Sequence, residues 1–177
     1  MIGVCALLAA GAAQAEHVSE PYAKVGDWDI IADNHRECGM KRAYGAGETE
    51  QGLFVIYDAR RQVVLLGWAA RKLEFPALGR PIHLDLAFLK GRSMDESWGN
   101  QPFETQKGDG YLLTHIFAGS TDAPRILRDI GSHDTIALFL GPMVMMSHRL
   151  DASDAAAKLR ECAAKIAAQN AADPPQR

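Results

Sequence analysis

The chain has 177 residues, of which 47% are hydrophobic and 23% charged, with a formal net charge of −3. That length and balance suit one domain with a single sizeable core and leave no room for a second. Lysines and arginines are scattered rather than clustered, so no face for nucleic acid or another polyanion is expected.

The segment Ile2 to Ala15 is apolar, uncharged and ends in Ala13-Gln14-Ala15, the small-x-small pattern that a signal peptidase accommodates. It is too short to cross the roughly 30 Å hydrocarbon core, which takes about 20 helical residues. Residues 1–15 therefore read as a signal peptide that lacks the usual preceding Lys or Arg, and no transmembrane span is expected after cleavage. Cys5 has no apolar run before it and is not read as a lipoprotein site. The expected location is the periplasm or the cell exterior. Cleavage leaves Cys38 and Cys162, and an even count in an oxidising compartment predicts a disulfide between them. Neither sits in a C-x-x-C pair, so the bridge is expected to be structural rather than redox-active.

Alternating or continuous apolar runs bounded by turn residues predict strands near Trp28–Ala32, Cys38–Tyr44, Leu53–Asp58 and Val63–Ala69. Asp58 to Gln62 reads as a hairpin loop, and Gly45 to Gly47 and Gly108 to Gly110 as glycine turns. Further strands are expected near Ile82–Leu89, Gln101–Thr105 and Leu112–Ala118. The period then changes: Ile126, Leu127 and Ile130 predict a helix over Thr121–Ile130, capped by Ser120 or Thr121 and stopped by Gly131. Strands return at Thr135–Leu140 and Met143–Leu150. A last helix over about Ser153–Gln169 would carry Ala155, Leu159, Cys162 and Ile166 on its inner face, and 171–177 is expected to be a disordered tail. Without β-α-β alternation, residues 16–170 read as one α+β domain: an antiparallel sheet or sandwich with a short helix and a C-terminal helix packed on it.

Candidate chemistry is sparse. There is no G-x-S-x-G elbow, and Ser132-His133-Asp134, being adjacent, cannot converge on one another as a triad. Asp134-Thr135-Ile136 lacks the Gly of an aspartic protease, and no H-E-x-x-H is present. His83 and Asp85 share one face of a predicted strand, opposite Ile82, Leu84, Leu86 and Phe88. In the Met-rich strand, Met143 and Met145 would face one way and Met146 and His148 the other. Thioether and imidazole suit copper or zinc, so Met143, Met145, His148, His83 and Asp85 are the residues to watch, with core filler the commoner role for methionine. The carboxylates Asp95-Glu96 and Asp27/Asp29 are available for acid–base work, and Trp28, Trp68 and Trp98 could line a groove or the core. No catalytic residue and no cofactor is predicted.

The opening Val25-Gly26-Asp27-Trp28-Asp29-Ile30 followed by Cys38, and the closing Leu150 to Cys162, resemble small exported alphaproteobacterial proteins of the invasion-associated locus B type. A cysteine that those proteins carry soon after the Trp is absent here. The resemblance implies an envelope role connected with host-cell invasion and no established enzymatic activity. The expected function is an exported binding, inhibitor or envelope accessory protein, whose partner would be another envelope protein. The alternatives are an unrecognised envelope hydrolase or a copper- or zinc-binding periplasmic protein.

Overall fold

A computed structural model describes residues 19–33, 37–72 and 79–172. The expected signal peptide and residues 173–177 lie outside that range. The strands are β1 (Ser19–Val25), β2 (Trp28–Asp33), β3 (Cys38–Tyr44), β4 (Gln51–Asp58), β5 (Val63–Ala70), β6 (Ile82–Lys90), β7 (Ser93–Lys107), β8 (Tyr111–Ala118), β9 (Thr135–Leu140) and β10 (Met143–Arg149). The helices are α1 (Gly119–Ser132) and α2 (Ser153–Ala172). All strands belong to one ten-stranded sheet in the order β1-β2-β3-β4-β5-β8-β7-β6-β9-β10. Neighbours are antiparallel throughout, so the protein is the expected α+β fold with its last helix C-terminal.

Strand periodicity selects the core. Leu53 and Val55, then Val64, Leu66 and Trp68, then Leu84, Leu86 and Phe88 all point inward and are fully buried. The long β7 turns the sheet back over them. Its residues Ser93 to Phe103 pair with β6, while Glu104 to Lys107 pair with β8. The two ends of the strand order therefore meet across the core. His148 on β10 stacks on Tyr44 of β3 with ring centroids 4.2 Å apart, and Trp28 Nε1 on β2 donates to the Leu150 carbonyl at 2.9 Å. Both outermost strands are interrupted, β1 by a register shift between Pro21 and Ala23 and β10 by one between Val144 and Met146.

Where the strands differ from expectation, the reasons are local. Strand β1 precedes the first expected strand; Ser19, Glu20 and Pro21 are polar or strand-breaking residues, and Pro is tolerated because this is an edge strand. The Gln101–Thr105 strand extends back to Ser93, since the polar Ser93 to Asn100 stretch lies along β6 with two register shifts. The 58–62 loop is a hairpin turn as expected, with Asp58 Oδ1 accepting from the amides of Arg60 and Arg61 at 3.0 Å each.

The helices also depart in detail. Helix α1 starts at Gly119 with no side-chain cap, and the Gly119 amide instead donates to Gln62 O at 3.0 Å. Gly131 does not stop α1, which runs to Ser132. Its lack of a side chain serves packing, because a Cβ there would lie 3.2 Å from Ala156 Cβ on α2. Gly110 likewise serves close approach, with the Ala70 carbonyl 2.8 Å from where its Cβ would be. Helix α2 buries Ala155, Leu159 and Cys162 as expected and continues through Ala172, so residues 171 and 172 belong to it.

Cys38 at the start of β3 and Cys162 on α2 are bonded, with Cα atoms 6.1 Å apart across a sequence separation of 124. In the chain-entropy treatment a loop of this length stabilises the fold by about 5 kcal/mol, with measured values commonly ~2–5 kcal/mol. Replacing both cysteines by alanine is therefore expected to lower the unfolding free energy in urea by about 2–5 kcal/mol. An unchanged midpoint would show that the bridge constrains nothing the core does not already hold.

Candidate functional site

Among the described residues, helices α1 and α2 pack on the inner, core-facing side of the sheet and leave the outer side uncovered. On the outer face, residues alternate with the core set and form rows across the strands. One row runs Lys41, Phe54, Gly67, Thr114, Glu104 across β3, β4, β5, β8 and β7. On one side of it lies Gly39, Ile56, Leu65, Ile116; on the other, Ala43, Gly52, Ala69, Leu112, Gln106. Ile56, Leu65, Phe54 and Leu112 are half-buried, and Ile116 is 57% exposed. The Phe54 ring lies across Gly67, where a Cβ would come 2.1 Å from Phe54 Cζ. The glycine thus keeps the middle of the face flat by giving the ring somewhere to lie.

Toward the β7–β8 turn this face deepens into an open trough of ≈ 990 Å³ with Ala43, Gly52, Phe54 and Leu112 in its lining. Its rim is charged: Arg71 pairs with Glu50 at 3.5 Å, and Lys107 Nζ sits 5.5 Å from the centre of the Tyr111 ring. Lys41 and Glu104 are exposed and make no ion pair among the described residues. The sequence did carry a signal for this face. The runs Leu53 to Tyr57 and Val63 to Ala70 are apolar at both parities, the pattern of a strand covered on both sides.

A scan against protein-family models, a search of curated proteins and a search of solved structures found no match. The site is therefore read from its own geometry.

Ser132 Oγ lies 3.1 Å from His133 Nδ1, and His133 Nε2 lies 3.1 Å from Asp95, with Asp134 turned away to accept from the Gly91 amide at 2.8 Å. His133 Nδ1 is also 2.7 Å from the Asp129 carbonyl. A carbonyl only accepts, so the Nδ1 proton points there and Nδ1 has no lone pair with which to take a proton from Ser132. His133 instead caps the end of α1. Lys90, 2.9 Å from Asp95, holds that carboxyl below its ordinary range, and His133 adds to the effect.

Other carboxylates are bound to cations: Glu96 to Arg125, Asp27 to Arg42 and Asp29 to Lys24. Trp28 and Trp68 are core residues; Trp98 is half-buried, donates to Asp129 at 3.0 Å and lies under the Arg125 guanidinium. His83 is exposed and Asp85 half-buried on one face of β6, where Asp85 accepts from Asn100 at 3.3 Å. The register shift in β10 separates Met143, which is exposed, from Met145, which packs on the core together with buried Met146. Among the described residues no group of three or more His, Cys, Asp or Glu could hold a metal ion.

His148 faces inward against Tyr44, and its Nε2 has no hydrogen-bond partner among the described residues. Nearby, Arg42 donates to the Leu150 carbonyl and to Asp27, both at 2.8 Å. Burial, with the Arg42 charge adding to it, pushes the His148 imidazole down to about 4. A histidine lowered in the fold takes its proton first in the unfolded chain. Its stability contribution is complete above about pH 6.5 and is lost as pH falls from there toward 4. The unfolding free energy from urea titrations is expected to drop over that interval by about 2 kcal/mol after allowing for solvent screening. His148→Phe should remove much of the slope. The remainder comes from His115, whose imidazole burial also lowers, and, toward the acid end, from the Asp95 and Glu161 carboxyls held low by Lys90 and Lys158. A wild-type curve flat between pH 4 and 6.5 would contradict this assignment.

Proposed function

We propose that this chain is an exported, non-enzymatic binding protein of the periplasm or cell exterior that works through the outer face of its sheet. The observation that carries this reading is the face itself. It offers Phe54, Ile56, Leu65, Leu112 and Ile116 on neighbouring strands, next to a trough of ≈ 990 Å³ with a charged rim. A contiguous apolar surface rimmed by charge is the usual mark of an interaction site. The Cys38–Cys162 bond supports an oxidising compartment. Among the described residues no helix is long and apolar enough to cross a membrane.

The resemblance to invasion-associated locus B proteins supports an envelope setting. The segments that carry it touch in the fold, Trp28 donating to Leu150 and Cys38 bonding to Cys162. An envelope accessory role also fits a protein whose contact surface is broad and shallow rather than a closed cleft.

The test is site-specific photo-crosslinking in the exporting cell. A benzophenone side chain in place of Leu112 is expected to give a discrete crosslinked protein, and one in place of the exposed His83 on β6 is not. Recovery of no crosslinked product from the Leu112 position, with normal export, would sink the reading. Mature protein is expected to begin at Glu16 and, unreduced, to weigh two hydrogens less than the dithiol; intact Met1 would remove export from the proposal.

A further inference from the structure

Strands β4 and β5 are apolar on both faces, yet the helices cover one. We propose that a second copy of this chain covers the other, packed face to face with its two-fold axis running along β5 through Leu65, Gly67 and Ala69. The proposal rests on reading the outer face as a binding surface and names its occupant.

The symmetry of the register carries the argument. With the axis along β5, each residue meets the residue equally far on the other side of β5 in its own row. Lys41, two strands before β5, then faces Glu104, two strands after it, and the symmetry makes this ion pair twice. These are the two exposed charges in that row that make no ion pair within their own chain among the described residues. In the next row Ile56 faces Ile116, and Leu65 meets its own copy on the axis. In the row beyond, Leu112 faces Gly52, a large side chain over a gap. The Phe54 ring, laid flat over Gly67, faces Thr114.

Other placements of the axis fare worse. An axis midway between β4 and β5 would set Asp29, which is next to Lys41 in the row, against Glu104, two like charges. An axis along β4 would set Glu104 against Lys24, which Asp29 already neutralises at 2.9 Å, and would leave Lys41 facing Gly67 with no partner. Of these placements only the β5 axis pairs both of the unpaired charges. Like charges in contact across an interface repel strongly and exclude that pairing, so the β5 axis is favoured over the midway one. Aligned face-to-face packing of two sheets, about 10 Å apart, is a common way of closing such a surface.

Sedimentation of the oxidised, exported chain tests this. The wild type is expected to be a dimer at about 10 µM, as an interface of ordinary size would give. Leu65→Lys places two like charges on the axis and is expected to give a monomer. Lys41→Glu and Glu104→Lys should each weaken association about tenfold or more, and the two together should restore it to within a few-fold. All three positions point away from the core, so thermal melts should stay close to wild type. If Leu65→Lys misfolds, the Lys41/Glu104 cycle still decides, because both side chains are exposed.

A wild type that stays monomeric at about 100 µM would overturn the proposal, as would a dimer that the combined reversal does not restore. The two readings fail separately. If the Leu112 crosslink joins a different protein and the chain sediments as a monomer, the binding face stands and the second copy falls. If no crosslink forms at all, the binding face itself falls.

Discussion

The bond between Cys38 and Cys162 fixes the position of α2 relative to β3, and much of the remaining structure is arranged around that junction. The chain enters α2 directly from β10, so the bridge also determines where the far end of the sheet lies. Three side chains of β2 and β3 converge on that connection. Trp28 and Arg42 both donate to the Leu150 carbonyl, and Tyr44 donates to Arg149 O at 2.8 Å. A carbonyl with two lone pairs can accept both bonds, and the positive φ of 43° at Asp151 turns the chain into the helix immediately afterwards. The sheet is thus held in its folded-over form by one covalent bond and a small set of hydrogen bonds to two consecutive carbonyls.

Much of this was legible in the sequence because the signals are periodic. Strands β3 and β9 have the bounds that their residues suggest, and the inner stripe of α2 follows from the spacing of Ala155, Leu159 and Cys162. The failures occur where tertiary contacts override local preference. Ser19 to Pro21 form a strand only because β2 lies beside them. The polar residues Ser93 to Asn100 extend β7 because β6 offers its ladder, and the α1 amide finds Gln62 rather than a capping hydroxyl. The outer face was half-legible. Apolar residues at both parities in β4 and β5 say that two faces are buried, but only the register says that Lys41, Phe54, Gly67, Thr114 and Glu104 share a row.

Residue types that suggest chemistry turn out to have architectural uses. His133 stands beside a serine and an aspartate, yet its short contact to the Asp129 carbonyl decides its tautomer and makes it the end of a helix. Met145 and Met146 fill the core next to His148 where β10 slips register, a use that suits an unbranched, adaptable side chain. One energetically costly group is His148, whose Nε2 lacks a partner among the described residues and whose proton affinity is suppressed by burial. The site is placed where the chain is already held by Arg42 and Tyr44.

The interruptions in the two outermost strands have a consequence for assembly. Each breaks the regular run of backbone donors and acceptors that another strand would need to align against, β1 through the shift at Pro21 and β10 through the shift after Val144. Lys24 adds a charge to the first of these borders, where it bridges to Asp29. Open-ended polymerisation by edge-to-edge strand addition is therefore disfavoured at both margins. What the margins withhold, the faces still offer: contacts between faces can close on themselves, whereas the edge-to-edge ladder on which fibrils grow has no regular strand here to start from.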